Sequence, residues 1–259
     1  MGVTVRCAAG SDVGLVRENN EDSAYAGRWL CAVADGLGGH VGGEVASSAV
    51  IRSLRSWDAE VAAGELAGAL GRAVSEAGKQ LRLAVEQHPE LEGMGTTLTA
   101  ILWSGSRAAM AHIGDSRAYL LHDGTLGQLT EDHTAANVVA DPEAAAWLAS
   151  MLVRFVDGTP DQVPDLTVRE LDPGDRYLLC SDGLSGVLDE EAIAGVLGTE
   201  TDPAAAVSRL IGLATELGGP DNITVVIADV ADGADEPVPA SPVTVGAAAE
   251  DVLSPGPGS

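Results

Sequence analysis

Four aspartates in this chain stand where apolar runs stop or start. Asp35 ends "LCAVAD" before Gly36, and Asp182 ends "YLLCSD" before Gly183. Asp115 ends "AHIGD" before Ser116, and Asp221 opens "PDNITVVIADV". Buried strands carry such acids to a sheet rim, where core meets solvent. Carboxylates that converge there repel one another and raise one another's pKa. A divalent cation resolves the repulsion, and an all-oxygen donor set selects hard ions such as Mg2+ or Mn2+. A glycine after the acid lets a backbone carbonyl approach the same ion with no Cβ in the way. Taken singly, an Asp-Gly pair after an apolar run is an ordinary turn. From these junctions alone, turn and metal site both stay open.

The elements that would position these acids are legible as short β-like runs at 3–9, 28–35, 96–103, 107–114, 116–123, 165–171, 176–182 and 222–230. Tight polar turns join several of them: "SGS" at 104–106, "GDS" at 114–116 and "DPGD" at 172–175. That spacing predicts hairpins and antiparallel pairing. Helical periodicity lies between them, over 42–57, 65–87 and 202–217, the last opened by Asp202 as N-cap and Pro203 at the first helical position. Strands in two antiparallel layers with helices outside the strand order predict an α+β sandwich. Residues 231–259 hold five of the twelve prolines and no Lys or Arg, which predicts a disordered tail after a folded domain of residues 1–230.

Composition narrows the function. With 14 Lys and Arg against 39 Asp and Glu, the formal charge is −25, a field that repels nucleic acid and anionic lipid. Solubility or a salt-tolerant host accounts for such a charge as well. Cys7, Cys31 and Cys180 are odd in number, widely spaced and set among apolar residues, which predicts buried thiols in a reducing compartment. No signal peptide is evident, and no run of 18 apolar residues occurs. The expectation is a cytoplasmic protein with no membrane and no nucleic-acid partner. The glycines at 38, 39, 42 and 43 lack both a Gly-Lys-Ser/Thr ending and a G-x-G-x-x-G opening, so a nucleotide loop is weakly supported.

Seven segments, in order, resemble the metal-dependent serine/threonine protein phosphatases of type 2C, the PPM family, and most closely its bacterial branch. They are "SDVGLVRENNEDS" (11–23), "VADGLGGHVGGEVAS" (33–47), "GMGTTLTA" (93–100), "AHIGDSRAYLL" (111–121), "LTEDHT" (129–134), "LLCSDGLSGVL" (178–188) and "GGPDNITVVI" (218–227). The resemblance implies a four-layer αββα fold, a central sandwich of two antiparallel β-sheets flanked by helices. It implies two ions, Mn2+ or Mg2+, with Asp35 bridging both, Gly36 offering its carbonyl, and Asp182 and Asp221 binding the second. Asp115 matches a position that helps to hold a third, weaker ion, and Glu21 and Asp22 match an acidic pair that touches metal through water. Arg17 matches an arginine that grips the phosphate, and His40 a histidine proposed to protonate the leaving alkoxide. The implied reaction is hydrolysis of phosphoserine and phosphothreonine in proteins by direct attack of a metal-bridging hydroxide, with no phosphoenzyme.

The resemblance also implies phosphorylated proteins as partners, with a Ser/Thr kinase or its substrates the natural candidates, and a monomer. A pseudophosphatase would have lost Asp35, Asp182 or Asp221, and none is lost. A phosphohydrolase of small esters remains an alternative. The flap segment 134–164 looks short and Ala-rich beside the family pattern, and Arg154 has no secure counterpart in it. His133 matches a position near the family's site entrance and reads as a capping or turn residue in preference to a substrate contact, and His112 reads as a satisfied or exposed strand residue.

Overall fold

The structure, a computed structural model, describes residues 3–38, 41–139, 148, 151–160, 162–233 and 241–249. Its strands in chain order are β1 (Val3–Asp12), β2 (Asp22–Ala26), β3 (Leu30–Leu37), β4 (Gly95–Thr96), β5 (Leu98–Ser104), β6 (Arg107–Ile113), β7 (Arg117–His122), β8 (Thr125–Gln128), β9 (Asp165–Glu170), β10 (Arg176–Cys180), β11 (Ile223–Asp232) and β12 (Val243–Gly246). One sheet runs β1-β11-β10-β7-β8, the other β12-β2-β3-β5-β6-β9 with β4 paired to β3, and every pairing is antiparallel. The helices are α1 (Val41–Arg55), α2 (Leu66–Gln87), α3 (Asp182–Ser185), α4 (Glu190–Thr199) and α5 (Pro203–Glu216).

Strand periodicity sorts the apolar residues into three layers. In β3, Cys31 and Val33 point between the sheets, whereas Leu30, Ala32 and Ala34 pack with Ile51 and Leu54 of α1 and Leu70 and Leu81 of α2. In β11, Val226, Ala228 and Val230 join the inter-sheet core, whereas Val225 and Ile227 meet Ile193 of α4 and Leu210 of α5. Strands buried on both faces read as continuous apolar runs, which is why "ITVVIADV" and "LCAVA" stand out in the sequence. The result is the expected four-layer αββα sandwich. Asp202 caps α5 by accepting from Ala205 N–H, with Pro203 in the first turn, as the sequence predicts. Among the described residues, no helix is long and apolar enough to cross a membrane.

The disordered tail expected over 231–259 needs correction at residues 231–233 and 241–249; the rest of that range lies outside the described residues. β11 continues to Asp232, and β12 adds an edge strand to β2 with the register Val243↔Ala26 through Gly246↔Ser23. Ala247 and Ala248 are buried behind it, and Ala248 N–H donates to Ser23 Oγ at 3.0 Å. The local signal is the β-branched "VTV", which the surrounding Pro, Ala and Gly outweigh in a compositional reading. Strand β12 covers the backbone edge of β2, the strand that begins at Asp22. A variant ending at Gly233 is therefore expected to lose about 2 kcal/mol, seen as a Tm drop of roughly 4–8 °C in calorimetry. A variant ending at Ala249 should melt like the full chain; equal melting of both variants would show that β12 contributes nothing.

Candidate metal centre

A cavity of about 660 Å3 opens at one end of the sandwich, and Asp35, Asp115, Asp182 and Asp221 all line it. Each arrives from a different element: Asp35 within β3, Asp115 just after β6, Asp182 at the start of α3 directly after β10, and Asp221 just before β11. Glu21 and Arg17 reach it from the segment between β1 and β2, and Gly36 and Asn222 complete its floor. The acids far apart in sequence thus converge as predicted.

Beneath the cavity lies a layer the sequence does not reveal. Asp22 is not among the lining residues; it is 1% exposed and is the direct register partner of Asp35 across β2 and β3. Ala24 and Val33 on the same two strands face the inter-sheet core, so both carboxylates point there too. Like charges directly opposite on neighbouring strands are unfavourable. Ser181 Oγ donates to Asp22 Oδ2 at 2.6 Å, which satisfies one oxygen but adds no charge. Burial, with the Asp182 and Asp221 charges nearby, pushes Asp22 up to about 7. Burial and the charges of Asp22, Asp182, Asp115 and Asp221 hold Asp35 well above the usual carboxylate range. Burial and Asp182 push Asp115 up to about 7, and burial and Asp221 raise Asp182, which lies within hydrogen-bonding reach of Asp35.

A cluster of this kind wants either protons or cations. Its donors are all oxygens, its charge is negative, and it opens to solvent, which fits hard divalent ions and does not fit a thiolate or imidazole metal site. Among the described residues, the one set of three possible ligands whose donor atoms all lie within 4.8 Å of one another is His122, Asp172 and Asp175, away from the cavity, and it is internally engaged: His122 Nδ1 lies 2.6 Å from Asp175 Oδ1, and Asp172 N–H donates to Asp175 Oδ2 at 3.2 Å.

The backbone around the acids is pinned. Asp35 N–H donates to Thr97 Oγ1 at 2.9 Å, and its carbonyl accepts from Thr97 N–H and from Thr96 Oγ1. Thr97 Oγ1 also bonds Ser116 Oγ at 2.7 Å, tying the Asp35 strand to the neighbour of Asp115. Gly36 has a reason beyond the one read from sequence. A Cβ there would strike the Gly43 and Glu21 carbonyls, so glycine lets α1 dock on β3. Gly183 is the same case, with the Asn222 carbonyl where a Cβ would stand.

Asn222 is the positioning residue that sequence reasoning missed. Its Nδ2 donates to the Val13 and Asn19 carbonyls at 2.9 Å each, and its Oδ1 accepts from Glu21 N–H at 2.8 Å. It thereby fastens the segment carrying Arg17 and Glu21 to the residue next to Asp221. The signal is present in "PDN": a buried amide beside an acid needs three or four partners. Arg17 is half exposed, and its Nη2 donates to Asp221 Oδ2 at 2.7 Å, which raises the guanidinium pKa.

His40 and Gly39 lie outside the described residues. His133 is more than a turn residue. Buried at 8% exposure, it accepts at Nδ1 from Gly114 N–H (3.1 Å), and its Nε2 lies between Arg154 Nη1 (2.8 Å) and Asp165 Oδ2 (3.0 Å). Arg154 Nη2 donates to Asp165 Oδ1 at 2.8 Å, which gives Arg154 a structural place at the base of the flap. His112 is satisfied, as expected, between Thr99 Oγ1 and the Glu131 carbonyl, and burial holds it down to about 4.

Comparison with known proteins agrees with this geometry. A family profile described as Protein phosphatase 2C matches residues 16–217. The chain is 48% identical over 252 residues to serine/threonine protein phosphatase PstP of Mycobacterium tuberculosis, covering 93% of this chain and 49% of PstP, so it spans about half the length of that relative. It is 33% identical to the serine/threonine phosphatase stp of Listeria welshimeri, over 85% of this chain and 93% of that protein. Among solved structures, the catalytic domain of PstP in complex with two manganese ions superposes with a TM-score of 0.82 at 49% identity, covering 89% of this chain and all of that one.

Proposed function

This chain belongs to the protein phosphatase 2C family, and from that premise we propose that it hydrolyses phosphoserine and phosphothreonine in other proteins with the help of two divalent cations, Mn2+ or Mg2+. The observation that carries the reading is the meeting of Asp35, Asp115, Asp182 and Asp221, from four separate elements, in one open cavity. Asp35, Asp182, Asp221 and the Gly36 carbonyl are the proposed ligands of the pair, and Asp115 belongs to a third, weaker position. Glu21 faces the cavity and acts through water, whereas Asp22 lies buried beneath Asp35 and adds to the negative charge that a cation relieves. When bound, the ions supply charge neutralisation and a water of lowered pKa.

The remaining work falls to side chains of the chain itself. Arg17 binds the phosphoryl group: a planar fork suits two oxygens at once, and its exposed pair with Asp221 is readily exchanged for a substrate. Asn222 keeps that arginine over the acids. His40 is proposed to deliver a proton to the departing serine or threonine oxygen. Arg17→Ala is expected to raise KM for a phosphopeptide about tenfold with a much smaller change in kcat, because it removes binding and leaves the acids in place. An unchanged KM in steady-state assays would remove Arg17 from the phosphate.

Phosphorylated proteins are the proposed substrates, with a Ser/Thr kinase or its targets among them, in the cytoplasm, where the three free thiols are at home. The deciding assay is hydrolysis of a phosphothreonine peptide and of p-nitrophenyl phosphate, each with Mn2+ and with chelator. Metal-dependent release from the peptide, at higher kcat/KM than from the small ester, is expected. Metal-dependent turnover of the small ester alone would mark a hydrolase of small phosphates instead.

A further inference from the structure

A second cavity, of about 350 Å3, lies between α2 and the flap residues 156–160 and 162–164. The two walls touch where Gly158, at φ +84°, meets α2: a Cβ on it would lie 2.9 Å from the Arg82 nitrogen and from the Gly78 carbonyl. Beyond that contact they part. Val156, Val163 and Leu166 give the space an apolar lining, and Val163 and Leu166 are left 61% and 41% exposed. Lys79 and Arg82, one turn apart on α2, line the same space.

That placement of charge is unusual in this chain. Lys79 is its only lysine, and its 14 basic residues face 39 acidic ones. Neither cation has a close ionic partner: Lys79 lies 3.7 Å from Glu76 and Arg82 4.0 Å from Glu86, all four side chains well exposed, and Arg82 Nη1 makes only a long bond to the Gly158 carbonyl at 3.4 Å. Such pairs contribute little and exchange readily for a better anion. A small, mostly apolar cavity with a few convergent polar groups is the usual form of a small-molecule site. An apolar majority with two separate cations favours a weakly hydrated anion carrying an aliphatic body over a bare inorganic one.

We propose that this cavity binds an amphipathic carboxylate, its head between Lys79 and Arg82 and its aliphatic chain against Val156, Val163 and Leu166. The site is separate from the acid cluster yet touches its support. Val156 bridges to Thr96, whose Oγ1 donates to the Asp35 carbonyl. The proposal concerns binding, and it stands whether or not the catalytic reading does.

The single lysine makes the test direct. Reductive methylation of the whole chain with 13C-formaldehyde keeps the charge and labels Lys79 and the α-amine alone. Sodium octanoate is titrated while the Lys79 methyl resonance is followed by NMR, with sodium acetate, octan-1-ol and sodium phosphate in parallel. Octanoate is expected to shift the resonance saturably, and the three controls to need at least about tenfold higher concentration. Ser75→Phe, which fills the cavity from an exposed helix position, and Arg82→Gln should each weaken octanoate about tenfold or more. Absence of a saturable shift, an equal response to octanol, acetate or phosphate, or octanoate binding untouched by Ser75→Phe would each overturn the proposal.

Discussion

Asp35→Asn is expected to remove Mn2+-stimulated phosphopeptide turnover by on the order of a thousandfold, while the metal-free protein melts higher, by about 5 °C, than the parent. The two effects come from one cause. Asp35 sits opposite Asp22 in register and within hydrogen-bonding reach of Asp182, and burial with those neighbours holds its pKa far above normal. Ionising it without a cation is therefore costly, and the isosteric amide abolishes that cost. The amide also keeps the shape of the site and the backbone bonds to Thr96 and Thr97, which do not involve the side chain. A cation, however, loses the ligand placed centrally among the acids. Turnover with chelator-sensitive kinetics, paired with calorimetry of the metal-free proteins, decides the matter. Retained turnover would take Asp35 out of the chemistry; a lower Tm would show that its carboxylate holds the fold together instead of straining it.

Stability given up where function needs charge is also the reason the site is partly readable from sequence. Each of the eight β-like runs corresponds to a strand; where a strand is buried on both faces, as β3 and β11 are, it must be apolar nearly throughout, and an acid at the end of such a run stands out. β2 is not legible because "DSAYA" is five residues long and starts at an acid, and β8 because "TLGQ" is a short exposed ribbon. Their existence depends on partners elsewhere in the chain, which local pattern does not contain. The same is true of β12, whose pairing with β2 outweighs a Pro-rich neighbourhood.

Within the site, residue type can be read from sequence and register cannot. Asp22 and Glu21 look alike in sequence, yet strand alternation turns Glu21 to the cavity and Asp22 into the inter-sheet layer. Thr96, Thr97 and Asn222 act on backbone atoms 61 to 209 residues away, as in the 201-residue separation of Asn222 from Glu21. The acids announce the chemistry; the hydroxyls and the amide that aim them are ordinary polar residues until the sheets are assembled.

Stability of the metal-free protein is expected to fall as pH rises from about 4 to about 7 and then to level off, the reverse of ordinary acid denaturation. Asp22 and Asp115 titrate near 7 in the folded state, and Asp35 and Asp182 are raised as well. In the unfolded chain all four titrate near the ordinary value of about 3.9. Below that value both states are protonated, and the groups contribute nothing. Between the two values the unfolded chain ionises while the native state keeps its protons. The native state then binds more protons, so the slope of unfolding free energy with pH is negative. Above 7, Asp22 and Asp115 are ionised in both states, and their full penalty remains, on the order of a few kcal/mol for a carboxylate that titrates near 7 instead of near 3.9. Mn2+ should reverse this. At pH 8 a concentration near one hundred times its Kd stabilises by about 2.7 kcal/mol, whereas at pH 5 protons occupy the same oxygens and the gain shrinks. Urea unfolding at pH 5 and pH 8, with Mn2+ and with chelator, gives four midpoints. A metal-free midpoint that climbs with pH, or an Mn2+ gain equal at both pH values, would mean that the clustered carboxylates are neither strained nor the place where the ion binds.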